Sequence, residues 1–316
     1  MTLKEKLQSL IDYANTATGE TDIDLTNAVK TLVDGYGKGG GDSKYKNELR
    51  SIIECVNTKI ENSDAEFVGD KAFNQYPSLI SVSLKNATSV GLNSFNECTT
   101  LETVDMPKVK TLGNQSFQKC TALKSVSFPE LETIGQYSFN GCSLLSSVYM
   151  PNITTIAQYG FQNTAISELK FDKVKIIERY TYHQCYKLEV VEMPNVEKVD
   201  PYGIAYCKAL KTIILPSVTG TIGAYAFCNC TALEYVELGN PQIISSYVFG
   251  GSSALTTLII RSESVCAYQT TSPSYDPQNA NLKIYVPASL VDSYKTATNW
   301  SRLADKFVAL EGSEFE

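Results

Sequence analysis

Apolar residues in this chain follow one repeating frame. A phenylalanine returns every 22 residues at Phe73, Phe95, Phe117, Phe139 and Phe161, with Tyr182 and Ile204 taking the slot before Phe227 and Phe249. Between these comes a Leu-x-x-Val-x-Leu frame: Leu101, Val104 and Met106; Leu123, Val126 and Phe128; Leu145, Val148 and Met150; Leu188, Val191 and Met193; Leu210, Ile213 and Leu215. A period of this length signals a solenoid, whose modules bury their apolar side chains only against neighbouring modules. The alternation at the end of the frame predicts a short strand, with Thr103 and Asp105, Ser125 and Ser127, and Ser147 and Tyr149 facing outward. Pro107, Pro129, Pro151, Pro194 and Pro216 end it, because a missing N–H and a fixed φ cannot continue a ladder. The returning half adds inward Val109 and Leu112, Leu131 and Ile134, and Ile153 and Ile156. Gly91, Gly113, Gly135 and Gly223 follow, where the frame predicts a tight turn.

The Leu-x-x-Val-x-Leu-Pro strand, the Ile-Gly-x-Tyr-Ala-Phe return and the cysteine three residues after the Phe together resemble the BspA-type leucine-rich repeat of bacterial surface proteins, over residues 56 to 260. The run from Leu282 to Leu310, with Asn299-Trp300-Ser301, resembles the C-terminal cap of that group. The resemblance implies a right-handed leucine-rich-repeat solenoid that adheres to host proteins or other cells, at a cell surface or secreted. The expected fold is an α/β solenoid of about nine 22-residue repeats with a small N-terminal helical module and a C-terminal cap. Its parts divide as 1–41 (two-helix module and Gly-rich linker), 42–72 (cap helix and first half-repeat), 73–260 (repeats) and 261–316 (loop and C-terminal cap). Ile166 arrives one residue early and Tyr182 and Ile204 replace Phe, so local curvature should change there.

Leu3, Leu7, Leu10, Ile11 and Ala14, then Leu25, Ala28, Val29 and Leu32, have helical spacing, and Leu49, Ile52, Ile53 and Val56 suggest a third, capping helix. Residues 1–41 are similar to short helical modules that precede glycine linkers in phage and prophage structural proteins. So small a pair of helices should dock on something or self-associate. The charged start Met1-Thr2-Leu3-Lys4-Glu5-Lys6 is not a secretory signal, which keeps virion-associated and cytoplasmic settings open.

A formal charge of -7, without a basic patch interleaved with aromatics, argues against nucleic acid as a partner. No apolar run reaches the roughly 20 residues of a membrane helix, so membrane insertion is not expected. Of nine cysteines, Cys98, Cys120, Cys142, Cys185, Cys207 and Cys230 hold one repeat position. Stacked in register they would stand about 4.8 Å apart, beyond the roughly 3.5 to 4.5 Å Cβ separation of a disulfide. A buried thiol ladder is expected, in preference to metal at Cys228-Asn229-Cys230 or His183-Gln184-Cys185, each of which lacks two further ligands. A Cys185–His183 dyad would need the inward cysteine to turn outward. No metal, cofactor or catalytic residue is assigned, and the chain reads as a non-enzymatic module for a host or bacterial surface protein or glycan. The alternative is a structural or assembly protein in which the solenoid is a spacer and the N-terminal helices attach.

Two surfaces are candidates for binding. Along the strand face, small hydroxyls give way to Tyr149, Glu168, Lys170, Glu192, Ile214, Tyr235, Glu237 and Ile259, the aromatic and aliphatic groups that dominate binding energy. Two residues before the Phe slot runs a tyrosine ladder, Tyr137, Tyr159, Tyr180, Tyr202, Tyr225 and Tyr247, which could stack internally or present a ridge of rings.

Overall fold

The computed structural model describes residues 58–316; the helices anticipated within residues 1–57 lie outside the described residues. The frame does form strands. Three-residue segments Ser81–Ser83, Thr103–Asp105, Ser125–Ser127 and Ser147–Tyr149 lead, past the shorter Glu168–Leu169, to Val190–Glu192 and then to four-residue Thr212–Leu215, Tyr235–Leu238, Thr257–Ile260 and Lys283–Val286. Where they pair, they do so in parallel one turn apart, as in Val82 against Val104 and Ile213 against Val236. Each inward residue thus lies over the equivalent residue of the turn before, and the repeat in sequence becomes a repeat in space.

The returning half is also a strand. Ser89–Val90, Thr111–Leu112, Thr133–Ile134 and Thr155–Ile156 form a second parallel column, continued by Ile176–Ile177, Lys198–Val199, Thr221–Ile222, Ile243–Ile244 and Ala267–Tyr268. These segments hold one inward residue each, too few for alternation to show in the sequence. The solenoid has about 11 turns rather than the expected nine. The added turns lie at the ends, where Lys59–Glu61 and Lys283–Val286 extend the first column without the full repeat frame. Helix is scarce among the described residues: Val291–Thr296 and three short 3-10 segments, all after the last repeat. The arcs at the Phe slot are turns, so the architecture is a β-solenoid with little helix.

The core is a column of rings. Phe73, Phe95, Phe117, Phe139 and Phe161 stack with centroids 5.1, 5.1, 5.5 and 5.2 Å apart, and from Phe95 onward each is 0% exposed. Burying each such ring contributes about 1.5–3 kcal/mol, so the stack is a main source of stability. Beside it runs the thiol ladder. Cys98, Cys120, Cys142 and Cys207 each donate to the carbonyl of the Phe-slot residue one turn back, at 3.0, 3.1, 3.0 and 3.1 Å. All eight described cysteines are buried thiols outside any disulfide. Where the slot lacks cysteine it keeps a donor: Ser252 reaches the Phe227 carbonyl at 2.8 Å. The cysteines thus give these buried carbonyls a second donor, beside the backbone N–H of the residue three further along.

The glycines act differently from the tight turns expected of them. Gly91, Gly113, Gly135 and Gly223 do not have positive φ. They are there because turns approach closely: a Cβ at Gly113 would lie 2.7 Å from the carbonyl carbon of Gly91, and one at Gly223 2.5 Å from the Pro201 nitrogen. The left-handed positions fall instead on larger residues. Lys71, Asn93 and Gln115, then all six ladder tyrosines, have φ of 53° to 62°.

Among the described residues the first column lacks a ladder pair between Thr103–Asp105 and Ser125–Ser127, and a further discontinuity interrupts both columns. Among the described residues no ladder pair joins Ser147–Tyr149 to Glu168–Leu169, nor Thr155–Ile156 to Ile176–Ile177. This is the unit shortened by one residue, with Ile166 early. The shortened unit coincides with this break, whereas the 23-residue step from Thr212 to Tyr235 keeps its ladder.

After the last repeat the chain closes the end of the core. Trp300 stacks on Tyr268 at 4.2 Å and its indole N–H donates to the Cys266 carbonyl at 2.8 Å. Arg302 grips Asp276 through Nε and a second guanidinium N–H, at 2.9 and 3.1 Å, and Tyr268 donates to the same carboxylate at 2.8 Å. Asp276 is 4% exposed, so its charge is buried with its partners.

Candidate functional site

The outward positions of the first strand column are where the two candidate surfaces begin to differ. Tyr149 stands 58% exposed at the end of the hydroxyl-bearing stretch. Glu168 and Lys170 are exposed and paired to each other at 3.0 Å, and the carboxylate holds the ammonium above its ordinary pKa. Glu192 is exposed and lies in register with half-buried Ile214. From Tyr149 to Ile214 the face is therefore open, with an aromatic and an aliphatic group set among charges.

Further along, the same face is closed by the chain itself. Tyr235 donates to Glu237 at 2.8 Å, and Arg261 Nε donates to the same carboxylate at 2.7 Å. Burial, and then the acceptor Glu237, push the Tyr235 phenol well above its ordinary pKa. Ile259 was expected to face solvent but is 0% exposed, which corrects its place among the exposed candidates. The reason is a small apolar cluster outside the main core: Ile259, Tyr285 and Leu310, with Tyr235, Val308 and Phe315 packed against them. Tyr285, Arg261 and Phe315 were not singled out from the sequence because they lie beyond the last regular repeat.

The tyrosine ladder also forms. Tyr137, Tyr159, Tyr180, Tyr202, Tyr225 and Tyr247 stack with centroids 4.3, 4.8, 4.8, 4.7 and 4.5 Å apart, and Tyr275 adds a seventh ring 3.4 Å from Tyr247. A left-handed non-glycine residue costs roughly 1–2 kcal/mol, while each ring pair returns about 0.5–1.5 kcal/mol. The stack offsets most of the backbone strain. It also occupies the ring faces that a sugar would need, leaving edges and hydroxyls outside. His183 fits edge-on against Tyr180 and Tyr206, at 5.3 and 5.2 Å, with Gln162 Nε2 3.1 Å from its Nδ1. Burial lowers its pKa. Cys185 points inward and donates to the Phe161 carbonyl at 3.2 Å, so the two do not form a dyad.

Among the described residues no group of three or more His, Cys, Asp or Glu could hold a metal ion, and no helix is long and apolar enough to cross a membrane. A face of short parallel strands on a solenoid, with its chemistry in outward side chains, defines a repeat protein of the leucine-rich class. The BspA type leucine-rich repeat region matches in six copies, over residues 66–189 and 154–271, and the chain belongs to that family. It is similar in structure to a leucine-rich repeat protein from Bacteroides ovatus, at 18% identity over 80% of this chain and 83% of that one, with a TM-score of 0.50. Similarity extends to a leucine-rich cell surface protein from Faecalibacterium prausnitzii, at 20% identity over 74% and 81%, with a TM-score of 0.40. The chain has no significant match among curated proteins.

Proposed function

We propose that the protein is a non-enzymatic recognition module that binds a protein or glycan of a host or bacterial surface through the open stretch of its strand face. The observation that carries this reading is Tyr149, a ring 58% exposed at the end of its strand, followed by Lys170, Glu192 and Ile214 on successive turns. Such a ring adds nothing to the core, while aromatic and aliphatic anchors rimmed by charge supply most of the energy at protein interfaces. Family membership supports the reading. The tyrosine ladder is the weaker candidate because its rings already stack on one another.

The test is retention of the purified protein on host-cell surfaces and bacterial envelopes. Tyr149→Ala and Ile214→Asp should each weaken retention by about 1–2 kcal/mol, while Ser81→Ala and Ser125→Ala should leave it unchanged. Retention that survives both changes and is lost when residues 1–41 are removed would make the solenoid a spacer and the helices the attachment.

A further inference from the structure

The closed end of the strand face carries a second site. At Gly312 the backbone takes a φ of +78°, and Ser313 N–H and Oγ both donate to the Leu310 carbonyl. That tight turn folds residues 311–316 back over the column. Phe315 lands between two tyrosines, with centroids 4.9 Å from Tyr285 and 5.9 Å from Tyr235. Its backbone carbonyl accepts from Arg261 at 2.8 Å, and Arg261 is itself braced by Glu237. An aromatic seat with an aliphatic floor and a positioned donor for a backbone carbonyl recognises a peptide turn that offers one ring and one backbone carbonyl.

We propose that Tyr235, Ile259, Tyr285 and Arg261 form a peptide-binding shelf, that residues 311–316 are its intramolecular occupant, and that its external ligand is a partner protein's turn-forming segment with an aromatic side chain flanked by carboxylates. The seated segment itself defines that chemistry. Glu314 and Glu316 flank Phe315 and are exposed, and Glu316 also accepts from the Gly312 N–H within the turn. The hold on the occupant is slight: one half-buried ring and one guanidinium bond tie it to the strand face, and the Ala288 N–H donates to the Glu311 carboxylate at its start. A tethered segment acts at an effective concentration in the millimolar range, so even weak intrinsic affinity closes the shelf, and a partner offering more contacts displaces it. The site is separate from the open stretch around Tyr149 and does not depend on a surface partner being bound there.

The probe is a labelled synthetic peptide Glu-Gly-Ser-Glu-Phe-Glu, the sequence of residues 311–316, with binding to the full chain followed by fluorescence anisotropy. Phe315→Ala should bind the peptide at least about tenfold more tightly than the unchanged protein, because the internal competitor has lost its ring. Gly312→Pro should do the same while keeping Phe315, since proline's φ near -65° cannot form the turn, and it carries the test if Phe315→Ala alters the thermal melt. The gain should vanish when Tyr235→Ala is added, or when the peptide's Phe is replaced by Ala. Equal binding by the unchanged protein and both variants, or equal binding of the Phe-less peptide, would overturn the proposal. Tyr149→Ala should leave peptide binding unchanged, so failure here leaves the strand-face reading standing.

Discussion

The two halves of the strand face solve the same repeat differently. From Ser81 to Ser147 the outward residues are mainly small hydroxyls, the strands are three residues long, and the Phe rings beneath lie nearly parallel, with interplanar angles of 3° to 14°. From Thr212 onward the strands gain a residue, Phe227 and Phe249 tilt to 45°, and an outer cluster forms over Ile259. In the first half, packing energy comes from the inner side alone, which leaves the outer side free for other uses. In the second half both sides pack, and part of the outer side is covered. Exposed aromatic and aliphatic residues on a solenoid are therefore not equivalent: Tyr149 is accessible, while Ile259 is structural.

The largest expected effect tests the inner side. Phe117→Ala should cost about 3–5 kcal/mol by leaving a cavity between two flush rings, read by urea denaturation followed by circular dichroism. Phe315→Ala, on the outer cluster, should cost less than about 1 kcal/mol because its ring is half-exposed. A loss below about 1 kcal/mol at Phe117 would show that the stack does not carry the first half.

Next in size is the closure of the second half. Asp276→Ala leaves Arg302 and Tyr268 without their shared acceptor in a mostly buried setting, at a cost of about 3 kcal/mol. In an array whose stability is a sum of neighbouring interfaces, the damage should be local. Amide hydrogen exchange should speed up in Tyr235–Leu238 and Thr257–Ile260 and stay slow in Ser81–Ser83 and Thr103–Asp105. Uniform acceleration would mean that the halves unfold as one.

At the boundary between the halves sits Tyr182, 0% exposed in the Phe column, with a buried hydroxyl that finds no partner among the described residues. Tyr182→Phe restores the repeat and removes that hydroxyl. It should raise stability by about 1–2 kcal/mol. A loss of stability would show that the hydroxyl is bonded and that the interruption of the columns depends on it.

Much of this was legible in the sequence because a repeat multiplies weak signals. The Leu-x-x-Val-x-Leu frame located the first column, the Phe slot located the ring stack, and the Cys slot located the thiol ladder, each seen many times over. What escaped was whatever occurs once or is too short to have a period. The two-residue strands at Thr111–Leu112 and its equivalents show no alternation. The glycines looked like turn residues, yet their role is contact between turns, which a single chain segment cannot display. The cover over Ile259 comes from Tyr285, Leu310 and Phe315, outside the repeat and 26 to 56 residues further along the chain from what they bury. Tyr149 and Ile259 looked alike as outward positions; only the fold of the last residues separates them.

The smallest expected effect concerns pH, and it probes the ladder edge at the boundary. His183 is held by Tyr180, Tyr202, Tyr206 and Gln162, and burial lowers its pKa below the ordinary 6.5. In the unfolded chain the imidazole takes up a proton near its ordinary value, while in the native protein it stays neutral to lower pH. The unfolded state thus binds more protons over that interval, so the contribution of His183 is fully present above about pH 6.5 and is lost as pH falls through the native value. Solvent screens a half-exposed ring, which keeps the effect below about 1 kcal/mol. His183→Gln retains a group that can pair with Gln162 and does not titrate. Between pH 8 and pH 5 the denaturation midpoint of the unchanged protein should fall further than that of His183→Gln. Parallel curves would place the imidazole in water, outside the ladder, and would remove a polar link between the tyrosine edge and the interruption between the two halves.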